Sequence, residues 1–231
     1  MKTIQGVLWD NDGVLVDTEQ LFYECNRDLL LPYGIDLTPK QFFDWFLDNN
    51  YGAWHVLLGQ GHGIELVDRL RAERKQLFGA RLRQARGLAM PGIAPVLAAL
   101  RPHVAMGVVT SAYAQHFDIS HAATGLLPHF DFVLTREMYG DSKPAPDGYR
   151  LGLQRLGLDA AHCVAVEDSP RGLRAANAAG LECIVLRNHM NRGYAFDGAF
   201  CVVESVAELG AVLASFVPGM APVRGQLEAF L

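Results

Sequence analysis

The sequence predicts a doubly wound α/β protein: a parallel sheet covered by helices on both faces, with a helical domain inserted after the first strand. Three observations lead there. Short β-branched or apolar runs recur along the chain, and helical patterns fill the spaces between them. One long interval, 16–87, breaks that alternation. The 231 residues suffice for one sizeable core with a smaller second domain attached.

Taken in order, Ile4–Trp9 is the first strand candidate. From Val16 to Gly87 no strand pattern follows, only helical stretches broken at Pro32, Pro39 and the Gly59–Gly63 cluster. That interval is too long for a crossover between neighbouring strands and reads as an inserted helical domain. The core is therefore expected to comprise 1–15 and 88–231, and the inserted cap 16–87. A helix over 92–100 leads to a strand at Val104–Val109, a helix over 113–123 to a strand at Phe132–Leu134, and a helix over 147–156 to Val164–Val166. The next helix, 170–179, has Ser169 to cap it, Pro170 at its first position and Gly180 just past its end. Cys183–Leu186 and a weaker run at Phe200–Val203 complete the strands, and 205–216 is the last helix candidate. Alternating strand and helix with parallel connections gives a Rossmann-like core.

Half of the residues are hydrophobic and 19% are charged, which argues against extensive disorder. The net charge of −5 speaks against binding nucleic acid or an anionic membrane by bulk electrostatics, so a small-molecule partner is expected. Cys25, Cys163, Cys183 and Cys201 lie far apart with no CxxC pair and read as reduced thiols rather than a zinc site. No long apolar leader opens the sequence and no apolar stretch reaches about 18 residues, so the expectation is a soluble cytoplasmic protein.

Asp10-Asn11-Asp12-Gly13 follows the first strand directly. Alone it is either a turn or a carboxylate pair placed where open α/β sheets bind ligands. It is not a calcium loop, because Gly13 stands fourth and Val14 fifth. Other strand ends add to it. Val109-Thr110-Ser111 offers hydroxyls and backbone N–H groups ahead of a helix, and Lys143 sits in a loop stiffened by Pro144 and Pro146. The fourth strand ends in Glu167-Asp168-Ser169. Each feature has a bland reading as a cap, a solvated lysine or an acidic turn, but four at successive strand ends point to one site.

In that order the residues match the four motifs of the haloacid dehalogenase superfamily, and the chain resembles its phosphatase branch over about residues 3–186. The stretch from Trp9 through Asp10 and Asp12 to Thr18 and Glu19 resembles the first motif, Thr110 the second, Lys143 the third and Glu167-Asp168 the fourth. The resemblance implies a helical cap, in agreement with the strandless interval. It implies Asp10 as nucleophile, forming an aspartyl-phosphate, and Asp12 as general acid and base. It further implies Mg²⁺ held by Asp10, the Asp12 backbone carbonyl and Asp168, with Glu167 direct or through water. Thr110, Ser111 and Lys143 would hold the phosphate.

Charge arithmetic supports a metal. Asp10, Asp12, Glu167 and Asp168 bring four negative charges against one from Lys143. At about 3 Å each further pair of negative charges repels by roughly 5 kcal/mol at an effective dielectric near 20. One lysine cannot offset that.

Asp12 favours phosphoryl transfer over dehalogenation, since a halide leaves without a proton. The nearer alternative is a β-phosphoglucomutase-like mutase. Those mutases carry a histidine four residues after the position of Thr18, where this chain has Phe22, and the expected Gly-x-Ser-Arg is not evident. A catalytically silent binding protein of the same fold would be expected to have lost Asp10, Asp12, Lys143 or Asp168, and all are present. A small phosphorylated metabolite is the expected substrate, a sugar or polyol phosphate in particular. Thr18, Phe22, Trp45, Asn49, Tyr51 and Trp54 are the candidate cap contacts, with cap core as the other reading of the aromatics. The basic run from Arg69 to Arg86 is either a solvated helix face or an anion-attracting rim.

Overall fold

The computed structural model describes residues 3–220. Six strands form one parallel sheet: β1 (Gly6–Trp9), β2 (Ala105–Val109), β3 (Phe132–Leu134), β4 (Cys163–Glu167), β5 (Glu182–Leu186) and β6 (Cys201–Val203). Their spatial order is β3-β2-β1-β4-β5-β6, so the chain leaves β1 to one side and later returns to the other. The doubly wound expectation holds, and β1 is the point where the winding reverses.

The period of two along each strand sorts side chains into two layers. Val7 and Trp9 of β1, Met106 and Val108 of β2 and Val164 and Val166 of β4 enter one layer. There they meet Ile93 and Leu97 of α5 (Ile93–Leu100), Phe117 of α6 (Ala114–His121) and Leu209 and Leu213 of α9 (Val206–Ser215). Leu8, Val109, Ala165 and Val185 enter the other, with Tyr149 of α7 (Asp147–Leu156) and Leu173 of α8 (Pro170–Ala178). Both layers are built from buried apolar side chains. Each fully buried Leu, Ile or Val contributes about 1.5–3 kcal/mol, which is why these strands read as near-continuous apolar runs.

Between β1 and β2 the chain builds α1 (Glu19–Leu30), α2 (Pro39–Phe42), a π-turn over Phe43–Asp48, α3 (Trp54–Gly59) and the long α4 (Ile64–Gln84). A capping box between Thr38 and Gln41 starts α2 behind Pro39, and Gln60 and Gly61 turn α3 into α4. Phe22, Phe42 and Phe46 stack edge and face inside this insertion. Its two connections to the core run antiparallel: the Asp17 N–H donates to the Leu88 carbonyl and the Met90 N–H to the Leu15 carbonyl, each at 2.8 Å. The apolar packing is nevertheless continuous with the core, through Phe43 stacked on Tyr194. Cys25, Cys163 and Cys183 are buried cysteines not joined in disulfides, and Cys201 is a half-buried one. Among the described residues no helix is long and apolar enough to cross a membrane.

Candidate active site

Strand register assembles the site. Trp9 pairs with Val108 on one side and Val166 on the other, so Asp10, Thr110 and Glu167 emerge together at the carboxyl edge of the three central strands. The Asp10 N–H donates to the Val166 carbonyl at 2.9 Å, continuing the ladder one residue past the strand. Lys143 arrives from the loop before α7. Its Nζ donates to Asp10 Oδ1 (2.7 Å), to Glu167 Oε1 (2.6 Å) and to the Val109 carbonyl (2.9 Å). All three donors of the ammonium are used, and the side chain is buried.

Glu167 is fully enclosed. Besides Lys143, its Oε1 accepts from the Tyr149 hydroxyl at 2.6 Å, and its Oε2 accepts from the Asp168 N–H and the Ser169 hydroxyl. Ser169 also accepts from the Gly172 N–H, which starts α8. Asp168 is held from the loop after β5, where Asn188 donates to its Oδ2 (2.8 Å) and Asn191 to its backbone carbonyl (2.9 Å). Neither asparagine stands out in the sequence; an Asn after a strand is as ordinary as a turn residue.

Electrostatics follow from this burial. Asp10 is pushed up to about 7, first by desolvation and then by Glu167, with Lys143 pulling the other way. Asp168 lies well above the carboxylate range, chiefly through burial and then Glu19. Lys143 is held above its ordinary range: burial works against its charge, but Asp10 and Glu167 outweigh it. Asp10, Glu167 and Asp168 each bring a carboxylate oxygen within 4.8 Å of the others, all buried. Oxygen donors with excess negative charge fit a hard divalent cation.

Asp12 differs in its surroundings. It lines the cleft between core and insertion, and its Oδ1 accepts from the Thr18 hydroxyl. The cleft holds about 260 Å³ and is lined from the core by Ser111 and Tyr113, and from the insertion by Phe22, Phe46, Asn50 and Trp54. Thr110 keeps its hydroxyl for the turn, where it accepts from the Ala112 N–H. Glu19, beside Thr18, also faces the cleft; burial first and Asp12 second push its carboxyl up to about 8.

Of the cap contacts expected from sequence, Thr18, Phe22 and Trp54 line the cleft, whereas Trp45, Asn49 and Tyr51 do not. Trp45 and Tyr51 pack edge-on against His55, and Asn49 bonds back to Asp44 and Asp48. The amide that reaches the core is the next one. Asn50, at φ 58°, donates to the Ser142 hydroxyl and the Lys143 carbonyl and accepts from Arg171 at 3.1 Å. A turn that reverses the chain at one residue sends neighbouring side chains opposite ways, which sequence clustering does not reveal.

Acids gathered at the strand ends of a doubly wound sheet, beside a cleft of small-molecule size, place this chain in the class of α/β proteins that bind small ligands at the carboxyl edge of the sheet. The family model of the haloacid dehalogenase-like hydrolases matches residues 4–180, and the chain belongs to that family as a phosphatase. Protein CbbY of Cereibacter sphaeroides is 30% identical, with 90% of this chain and 95% of CbbY covered. The fructose-1-phosphate phosphatase YqaB of Escherichia coli is 25% identical over 79% of this chain and 96% of its own length. Among solved structures, CbbY from Rhodobacter sphaeroides in complex with xylulose-(1,5)bisphosphate superposes with a TM-score of 0.67 at 30% identity, covering 90% of this chain and 97% of that one.

Proposed function

We propose that the protein hydrolyses a small sugar or polyol phosphate, with Asp10 as nucleophile and Asp12 as general acid and base. The observation that carries this is the contrast between the two acids. Asp10 is buried and aimed by Lys143, while Asp12 is held by Thr18 at the edge of the cleft. An Asp10 oxygen attacks phosphorus as the bond to the leaving oxygen breaks, and Asp12 gives that oxygen a proton. Asp12 then takes a proton from the water that hydrolyses the aspartyl-phosphate. The backbone around Ser111 would hold the phosphoryl oxygens, and Lys143, its three donors already engaged, would attract them by its charge unless one of those bonds is exchanged.

Asp10 and Asp168, with the Asp12 backbone carbonyl, would hold Mg²⁺. Bound there, the cation supplies positive charge against the clustered carboxylates and the phosphate. Both Glu167 oxygens already accept hydrogen bonds, so its part is to position Lys143. The insertion would act as a cap that excludes bulk water. CbbY and YqaB, with their sugar-phosphate ligand and substrate, support the substrate class. Phe22 on the cleft wall, where the mutases carry histidine, favours water as acceptor.

The test is phosphate release from sugar and polyol phosphates with and without Mg²⁺, for wild type and Asp10→Asn, with the sugar products assayed for isomerisation. Activity that needs Mg²⁺ and vanishes in Asp10→Asn is expected. Equal rates for the two proteins would remove Asp10 as nucleophile, and an isomerised phosphate product would establish a mutase instead.

A further inference from the structure

Along α4 the basic side chains fall into two groups. Arg69, Arg71 and Arg81 have carboxylate partners: Glu73 at 3.7 Å, Asp68 at 3.2 Å, and Glu24 and Asp28. Arg74, Lys75 and Arg83 have none among the described residues; Arg74 and Lys75 line the cleft, whereas Arg83 lies away from it. Arg74 donates a single hydrogen bond, from Nη1 to Asn26 Oδ1 at 3.2 Å. Its guanidinium otherwise lies against the rings of Phe22 (5.1 Å), Trp54 (5.2 Å) and Phe46 (6.0 Å). Burial, and then Arg71, lower its pKa to about 10, so at neutral pH it remains a cation without a counter-ion. Lys75, the next residue of α4, sets its Nζ 4.0 Å from the centre of the Tyr113 ring, which lines the cleft from the core.

A cation held against aromatic rings with most of its five donors unspent is costly unless a ligand completes it. The core already provides for one phosphoryl group at Asp10 and Lys143. Arg74 and Lys75 come instead from the insertion, on the part of the cleft that would receive the leaving group. From this geometry we infer that Arg74 and Lys75 form a distal anion subsite, and that the substrate is a small phosphomonoester carrying a second anionic group, phosphate or carboxylate. This rests on the phosphatase reading above and sharpens it: among sugar phosphates, those ending in a neutral hydroxyl are the poorer substrates.

Two matched pairs test it: xylulose 5-phosphate against xylulose 1,5-bisphosphate, and sorbitol 6-phosphate against 6-phosphogluconate. For wild type with Mg²⁺, kcat/KM is expected to favour the doubly anionic member of at least one pair by about 10- to 100-fold, the range of a charge-assisted hydrogen bond. The pair that shows the preference tells phosphate from carboxylate. Arg74→Gln should collapse that ratio through KM. Lys75→Gln, at an exposed position, should reduce it in a protein whose melting temperature is unchanged. Calorimetric Kd values on Asp10→Asn protein measure the subsite without turnover. Arg74-dependent preference for the doubly anionic ligand there, with no phosphate release from any probe by wild type, would keep the subsite and reject the phosphatase chemistry. Equal kcat/KM and Kd within both pairs, a preference untouched by both substitutions, or no binding of any probe would overturn the subsite.

Discussion

His121 Nε2 stands 2.7 Å from the side-chain oxygen of Asn11, the residue between Asp10 and Asp12, although 110 positions separate the two in sequence. The imidazole is buried on α6, with Nδ1 3.1 Å from the Thr124 hydroxyl. The turn that carries both catalytic candidates is thus fastened to α6, whose Phe117 packs in the same layer as Val14 and Leu15.

That contact sets a pH dependence of stability. Burial lowers His121 to about 4, against the opposing pull of Asp12 and Asp118. The unfolded imidazole, near 6.5, takes up its proton first as pH falls. Between about 6.5 and 4 the unfolded state therefore binds more protons, and native stability drops as pH is lowered through that window. The contribution at neutral pH is on the order of 3 kcal/mol. Urea denaturation from pH 7.5 to 4.5 should show this slope in wild type and a shallower one in His121→Gln.

Lys143 and Asp10 should respond oppositely to neutralisation. Lys143→Met leaves Asp10 and Glu167 buried without their cation, at a cost of about 3–5 kcal/mol and with loss of phosphate release. Asp10→Asn removes one of three clustered carboxylates, whose raised pKa makes its ionisation above pH 7 destabilising in the metal-free protein. Its Tm without added metal should equal or exceed that of wild type while turnover disappears. Calorimetric melts and phosphate release on the same samples separate the two effects.

Gly172 lets α8 approach Glu167. A Cβ there would run into the Glu167 carboxyl group, displacing the residue that orients Lys143. Gly172→Ala is expected to cost about 1–3 kcal/mol through overpacking and to slow phosphate release at least about tenfold. Gly59→Ala, where a Cβ meets open space, is the control and should be neutral or slightly stabilising.

Arg174 of α8 donates to Asp48 Oδ1 at 2.7 Å and also to the Asp48 carbonyl, while Arg171 reaches Asn50. These bonds fasten the tip of the insertion to the core. The Arg174 and Asp48 side chains are half-exposed, so a double-mutant cycle on Arg174→Ala and Asp48→Ala should return a coupling of only about 0.2–1 kcal/mol. The coupling should appear in KM and shrink with added salt. A coupling of zero at low salt would show that the pair does not hold the cleft closed.

Much of this site is legible in the sequence because its parts are local. Asp10, Asp12, Thr110, Lys143 and Glu167-Asp168 each stand at or beside the end of a recognisable strand or in a proline-stiffened loop, and a parallel sheet delivers strand ends to one edge. The residues that steady them are less visible. Asn188, Asn191, Tyr149 and His121 sit in ordinary turn or helix positions, and their roles arise from pairing across long stretches of chain.

By itself, then, the sequence determined the alternation of strand and helix, the long strandless interval after the first strand and the order of acids and lysine along the chain. All of these follow from short-range periodicity and spacing. Only the tertiary structure decided that Asn50 rather than Asn49 meets the core, that Thr18 holds Asp12, and that Arg74 and Lys75 face the cleft while Arg69, Arg71 and Arg81 pair with acids. The basic residues of α4 look alike in the sequence; which of them stay unpaired depends on what packs beside each, and that is fixed by distant parts of the chain.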